Sequence, residues 1–168
     1  MKEETYKPCV FQSKWNKIEE IPVQWLKKSA RGIILDVDNT LVKWGDHEIP
    51  QEVIQWLKKV ERAGIRICLL SNTWSRRARH VYQSLGFPCI APALKPLPFG
   101  YWRALRHLHL QRKEVLVIGD QLLTDMLGAR FSGISGMLLP PRNAKEFFLT
   151  RIFSRRLEKW LSKFLNQL

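Results

Sequence analysis

A short apolar run, Ile33-Ile34-Leu35, gives way abruptly to two acids one residue apart, Asp36-Val37-Asp38. The run has the length and composition of a buried β-strand, and the carboxylates begin where that strand should end. In an open α/β sheet, ligands bind beyond the carboxyl ends of the strands. Two carboxylates this close repel each other unless a cation or a shared proton lies between them. The pattern points to a metal-dependent site and to chemistry on phosphate.

Taken alone, Asp36-Val37-Asp38-Asn39-Thr40 would serve equally well as a structural turn. Three later segments decide the matter. Arg66 to Leu70 form a second strand candidate that stops at Ser71-Asn72. Lys95 follows in Pro92-Ala93-Leu94-Lys95-Pro96, a loop stiffened by prolines. Val115 to Ile118 form a third buried strand that stops at Gly119-Asp120, with Asp125 five residues further on. In this order the four motifs resemble those of the haloacid dehalogenase (HAD) superfamily of phosphohydrolases, over roughly residues 31–140.

The resemblance implies roles that suit the chemistry. Phosphate monoesters are among the slowest bonds to hydrolyse unaided, and a carboxylate nucleophile divides the step through an aspartyl-phosphate. Asp36 would be that nucleophile. Asp38 would protonate the leaving oxygen and later activate water; related ATPases carry threonine there, so the hydrolase reading is preferred. Mg²⁺, a hard ion suited to carboxylates, water and phosphate oxygens, would be held by Asp36, the Asp38 carbonyl and Asp120. Asp125 would support the metal site. Ser71, Asn72 and Lys95 would bind the phosphoryl group, Lys95 as a point cation. Thr40 would shape the phosphate cradle, or else simply cap the turn.

Asp38 and Ser71 are 33 positions apart, and Ser71 and Lys95 are 24 apart. Each gap holds a helix and a strand but no cap domain. Unless a second subunit supplies a cap in trans, the cleft is open and admits a phosphate attached to something large. The motifs, with Ser71-Asn72-Thr73, Ala93-Leu94-Lys95-Pro96 and the tail Thr150-Arg151-Ile152 through Glu158, resemble the capless subclass IIIA branch. That branch contains YqeG-type proteins and mitochondrial phosphatidylglycerophosphate phosphatases. The likeness implies a Mg²⁺-dependent phosphomonoester hydrolase acting on phosphatidylglycerophosphate, an anionic lipid, to give phosphatidylglycerol.

A net charge of +13 over 168 residues requires an anionic partner. Arg76, Arg77 and Arg79 follow the second motif and form either a solvated helix face or a surface that attracts an anionic substrate. From Phe147 to Leu168, apolar residues including Ile152, Phe153, Leu157 and Trp160 recur at helical spacing. Arg151, Arg155, Arg156, Lys159 and Lys163 occupy the other side. Such a helix can lie in a membrane interface, pack on its own core or form a dimer contact. Near the N-terminus, Val10, Phe11, Trp15, Ile18, Ile21, Val23, Trp25 and Leu26 mingle with lysines and suggest a second membrane-facing surface. Charge alone does not separate lipid from nucleic acid. Nucleic-acid ends, phosphoproteins and a non-catalytic RNA- or ribosome-binding role therefore remain alternatives. The sequence leaves the oligomeric state and the choice between Mg²⁺ and Mn²⁺ open.

No apolar run reaches the ~18 residues of a membrane span, and Met1 to Tyr6 lack the core of a signal peptide. Cys9, Cys68 and Cys89 show no metal-ligand spacing. A cytoplasmic location is expected, peripheral to the inner membrane face. The expected fold is three-layer α/β, Rossmann-like, with a mainly parallel five-stranded sheet and no cap. Strands are predicted near 31–37, 65–71, 88–90, 115–119 and 134–139, and helices near 51–63, 75–85, 97–109, 122–131 and 150–166. Residues 1–30 read as a basic, aromatic extension, 31–141 as the phosphatase core and 142–168 as an amphipathic helix. Gly45 and Asp46 are expected to form a flap turn.

Overall fold

The computed structural model describes residues 6–42, 48–73 and 85–142. The predicted helices over 75–85 and 150–166 and the flap turn at Gly45 and Asp46 lie outside the described residues, apart from Leu85. The described residues build a six-stranded sheet in which every pairing is parallel. In chain order the strands are β1 (Val10–Gln12), β2 (Gly32–Asp36), β3 (Arg66–Leu70), β4 (Cys89–Ile90), β5 (Val115–Gly119) and β6 (Ser135–Leu138). Across the sheet they run β1-β6-β5-β2-β3-β4.

β2 is buried throughout, between β5 and β3. That accounts for its unbroken apolar run, because a parallel strand covered on both faces needs no polar side. Its residues alternate between two cores. Ile33 and Leu35 join Ile67, Leu69, Leu116 and Ile118 on one face, beneath helix α2 (Gln51–Arg62). Ile34 joins Cys68, Leu70 and Val117 on the other, beneath α3 (Pro98–Leu108). In α2, Val53, Trp56, Leu57 and Val60 form the buried stripe. The helix stops at Ala63-Gly64, where Gly64 takes φ 83°, a conformation that favours glycine. Cys68 and Cys89 belong to this packing. Burial pushes their thiols up to about 12 and about 11, so both are poorly reactive.

The register brings the motifs level. Asp36 pairs with Leu70, the residue before Ser71, while Leu35 pairs with Ile118, the residue before Gly119-Asp120. Between β2 and β3 the described chain forms a turn and α2, with no further helix or strand.

Three expectations change. The sheet has a sixth strand, because Val10–Gln12 pairs in parallel with β6. A three-residue edge strand is too short to show alternation. The apolar residues of the N-terminal stretch also do not form an open membrane-facing surface. Ile18, Ile21 and Leu26 are fully buried against the α2 side of the core. Trp56 Nε1 donates to Ile21 O at 2.8 Å, and Trp15 packs edge-on against Trp25, with the ring centres 5.0 Å apart. The stretch includes α1 (Val23–Ser29), whose lysines remain at the surface. The predicted helix over 122–131 also divides, into one π-helical turn (Leu122–Met126) and α4 (Leu127–Phe131).

Candidate active site

Beyond β2 the chain folds back at once. Val37 O accepts from Leu41 N at 2.9 Å, and Asn39 N donates to Val42 O at 2.7 Å. Asn39 makes the turn at φ 63°, a region that asparagine tolerates better than most residues. This reversal leaves Asp36 buried at the strand end and Asp38 half-buried beyond it.

Asp38 is held from the β3 side. Ser71 Oγ donates to its Oδ2 at 3.1 Å and Thr73 Oγ1 donates to the same oxygen at 2.8 Å. Thr73 N in turn donates to Ser71 Oγ at 3.0 Å. Asn72 points elsewhere. Its Nδ2 donates to Lys95 O at 3.0 Å, and Lys95 N donates to its Oδ1 at 2.7 Å. Both ends of the Asn72 amide therefore fix the backbone of Lys95.

The Lys95 side chain runs inward. Nζ lies 2.5 Å from Asp36 Oδ1 and 2.6 Å from Asp125 Oδ1, and all three residues are buried. Burial works against the ammonium charge, but the Asp125 and Asp36 carboxylates outweigh it and hold Lys95 above the usual lysine range. Asp125 gains its place from the π-helical turn, an irregularity common at functional sites. Its Oδ2 accepts from Gln121 N at 3.1 Å. Gly119 is required beside it, since a Cβ there would collide with the Asp125 carboxylate. Tyr101 Oη anchors the same turn, 3.1 Å from Thr124 O and 3.2 Å from Asp125 O.

Asp36, Asp120 and Asp125 each offer a carboxylate oxygen, and these atoms lie within 4.8 Å of one another. One lysine cannot balance three carboxylates. Burial and then the Asp125 charge raise Asp36 well above the usual carboxylate range, and the same two causes push Asp120 up to about 7. Among the described residues, Asp36 Oδ2, Asp120 Oδ1 and Thr40 Oγ1 are buried without a hydrogen-bond partner. Buried polar atoms are rarely left so, and each calls for an explanation. An all-oxygen, acid-rich donor set with spare oxygens fits a hard divalent cation. Asp125 is less available to one, because Lys95 and Gln121 already engage its two oxygens.

The structure thus brings together Asp36, Asp38, Ser71, Lys95, Asp120 and Asp125. It directs Asn72 to the Lys95 backbone and leaves Thr40 Oγ1 free inside the turn. Sequence reasoning gave no role to Thr73 or Tyr101, or to Arg142. Arg142 Nε donates to Thr40 O at 2.7 Å and its backbone N donates to Asn39 O at 3.0 Å, while its guanidinium also pairs with Glu19. Only the hydroxyl of Thr73, two residues past Ser71, carried a local hint.

A family model described as mitochondrial PGP phosphatase matches residues 3–141. "Probable phosphatase YqeG" of Bacillus subtilis (strain 168) is 36% identical over 138 residues, 82% of this chain and 80% of that protein. Among solved structures, a HAD superfamily (subfamily III A) hydrolase from Legionella pneumophila aligns with TM-score 0.52 and 15% identity. That alignment covers 85% of this chain and 92% of the other. The cobalt-bound deoxy-D-mannose-octulosonate 8-phosphate phosphatase of Haemophilus influenzae aligns with TM-score 0.53 and 16% identity, over 76% and 90%. At these identities the two structures speak for the fold alone.

Proposed function

Since the chain belongs to the PGP phosphatase family of the HAD superfamily, and is thus a phosphoric monoester hydrolase, we propose that it removes the terminal phosphate of phosphatidylglycerophosphate at a membrane face. The observation that carries the mechanism is the pairing of a free, buried Asp36 Oδ2 with Lys95 on the other oxygen of the same carboxylate. The ammonium orients the group and leaves one oxygen to attack.

Asp36 Oδ2 bonds to phosphorus as the ester P–O bond breaks, and Asp38 gives the departing alkoxide its proton. Asp38 then takes a proton from water, whose oxygen displaces Asp36 and releases inorganic phosphate. Ser71 and Thr73 aim Asp38, and Ser71 can turn its hydroxyl to a phosphoryl oxygen. Lys95 offsets phosphoryl charge inside a buried site, where a fixed cation acts strongly. Asp36, the Asp38 carbonyl and Asp120 would hold Mg²⁺, with Asp125 behind them, and the ion supplies Lewis-acid neutralisation of phosphate charge. Asn72 and Thr40 serve the cradle, Asn72 by fixing the Lys95 backbone and Thr40 within the turn.

The lipid assignment rests on the family, on the absence of an inserted cap in the described chain and on the +13 charge, which suits an anionic surface. Among the described residues no helix is long and apolar enough to cross a membrane; the contact proposed is peripheral, at the cytoplasmic face. The test is phosphate release from vesicles containing phosphatidylglycerophosphate, with and without Mg²⁺, for wild type and Asp36→Asn. Metal-dependent release that the substitution abolishes is expected. Release from an aryl phosphate but not from the lipid would retain the chemistry and overturn the substrate.

A further inference from the structure

Five of the seven large apolar residues exposed among the described residues fall in two short stretches, and those stretches carry Lys95 and Asp125. Leu94 (57% exposed), Leu97 (49%), Phe99 (56%) and Trp102 (47%) lie in the β4–α3 loop and the first turns of α3, and Leu123 (51%) lies in the π-helical turn. The geometry points to a seat for the apolar boundary of an anionic lipid bilayer, formed by Leu94, Leu97, Phe99 and Leu123 at the mouth of the active site. The inference rests on the lipid-phosphate reading and adds the surface by which the enzyme meets the membrane.

The placement follows from the turn around Lys95. Leu97 N donates to Leu94 O at 2.9 Å, so the two leucines close a tight turn with Lys95 inside it. The lysine points inward to Asp36 and Asp125, while the flanking leucines stay at the surface. Phe99 follows two residues later, braced edge-on by Trp102 with ring centres 5.7 Å apart. Leu123 stands two residues before Asp125, and Tyr101 ties α3 to that turn. A phosphate seated at Asp36 therefore has the rest of its molecule leaving across an apolar rim. A small, water-soluble phosphomonoester would leave this rim in water, whereas acyl chains would cover it. Charge complementarity favours the same occupant. The chain carries +13, and Arg103 and Arg106 are exposed on α3 just behind the rim.

The test is flotation of the full chain with phosphatidylcholine vesicles, with and without phosphatidylglycerol, at about 0.1 M and about 1 M salt. Salt at the upper concentration screens charge to within a few ångströms and leaves apolar contact. Wild type is compared with Phe99→Ser/Leu123→Ser and with Phe131→Ser. Phe131 is equally exposed (54%) but ends α4, at the other end of the sheet. The rim variant should bind anionic vesicles about tenfold more weakly, at both salt concentrations, than wild type or Phe131→Ser. Melting temperatures check that all three are folded. Equal binding by the rim variant, no binding by wild type, or an effect on self-association instead of vesicle binding would each overturn the inference. Lipid turnover in the same vesicles separates the two readings. Turnover with rim-independent binding removes the seat and keeps the substrate, whereas rim-dependent binding without turnover does the reverse.

Discussion

Asp36 and Asp38 stand two residues apart in different surroundings. Asp36 is buried, shares a lysine with Asp125 and keeps one oxygen without a partner. Asp38 is half-buried and takes two hydroxyl hydrogen bonds on a single oxygen. One environment isolates a carboxylate and fixes it for attack. The other supports a carboxylate in contact with donors and solvent, as a group that passes protons requires. Two like residues given unlike environments are the usual means by which a site divides such labour.

The largest expected effect is the one that would erase the distinction. Asp36→Asn should lower kcat by about four orders of magnitude or more, because no nucleophile remains. Asp38→Asn should lower it by about 10²–10⁴-fold, the range of a lost general acid–base. Equal losses would argue that the two carboxylates act as one unit, and steady-state kinetics on an aryl phosphate decides it.

The next effect belongs to the Asp36 side and is read through pH. Asp120 and Asp36 both titrate above their ordinary range when folded. A raised folded-state pKa means that the metal-free protein holds its proton more tightly than the unfolded chain does. The stability this contributes is complete below the ordinary carboxylate pKa and is lost as pH rises through about 7 for Asp120. The metal-free melting temperature should therefore fall between about pH 5 and pH 8. Mg²⁺ takes the place of that proton, so the stabilisation it gives should grow over the same window. Thermal melts with Mg²⁺ or a chelator check both trends, and a metal effect independent of pH would contradict the assignment of Asp120.

The smallest effect is on the Asp38 side. Thr73→Val removes one of two donors to the Asp38 carboxylate and should lower kcat by roughly tenfold with KM little changed. A shift in KM alone would place Thr73 in binding rather than in aiming Asp38.

What could be read from the chain follows its physics. β2, β3 and β5 are parallel strands buried on both faces, so their apolar runs and polar stops mark the ends to within a residue. Asp36, Asp38, Ser71 and Asp120 sit at those stops or just past them, where a chain direction set by the sheet leaves little choice, while Lys95 comes from the loop after β4 and Asp125 from the π-helical turn. β1 has three residues and no such signal. Ile18, Ile21 and Leu26 have the same composition whether they face lipid or pack under α2, and packing was the outcome. Arg142 reaches Thr40 and Glu19 over long separations, 102 and 123 residues, which no local pattern encodes. The phosphate role expected of Asn72 follows from the resemblance alone, and no local pattern signals the contact that its amide makes in the fold. Its partner proved to be the backbone of Lys95, 23 residues away.

The central claim is that Asp36, not Asp38, carries the phosphoryl group. Brief reaction of Asp38→Asn with a phosphomonoester and Mg²⁺, acid quenching and peptide mass spectrometry tests it directly. The account predicts a phosphorylated aspartate at position 36, accumulating because the water that should release it lacks its base. Turnover by this variant with no phosphorylated Asp36, or phosphate on another residue, would contradict it.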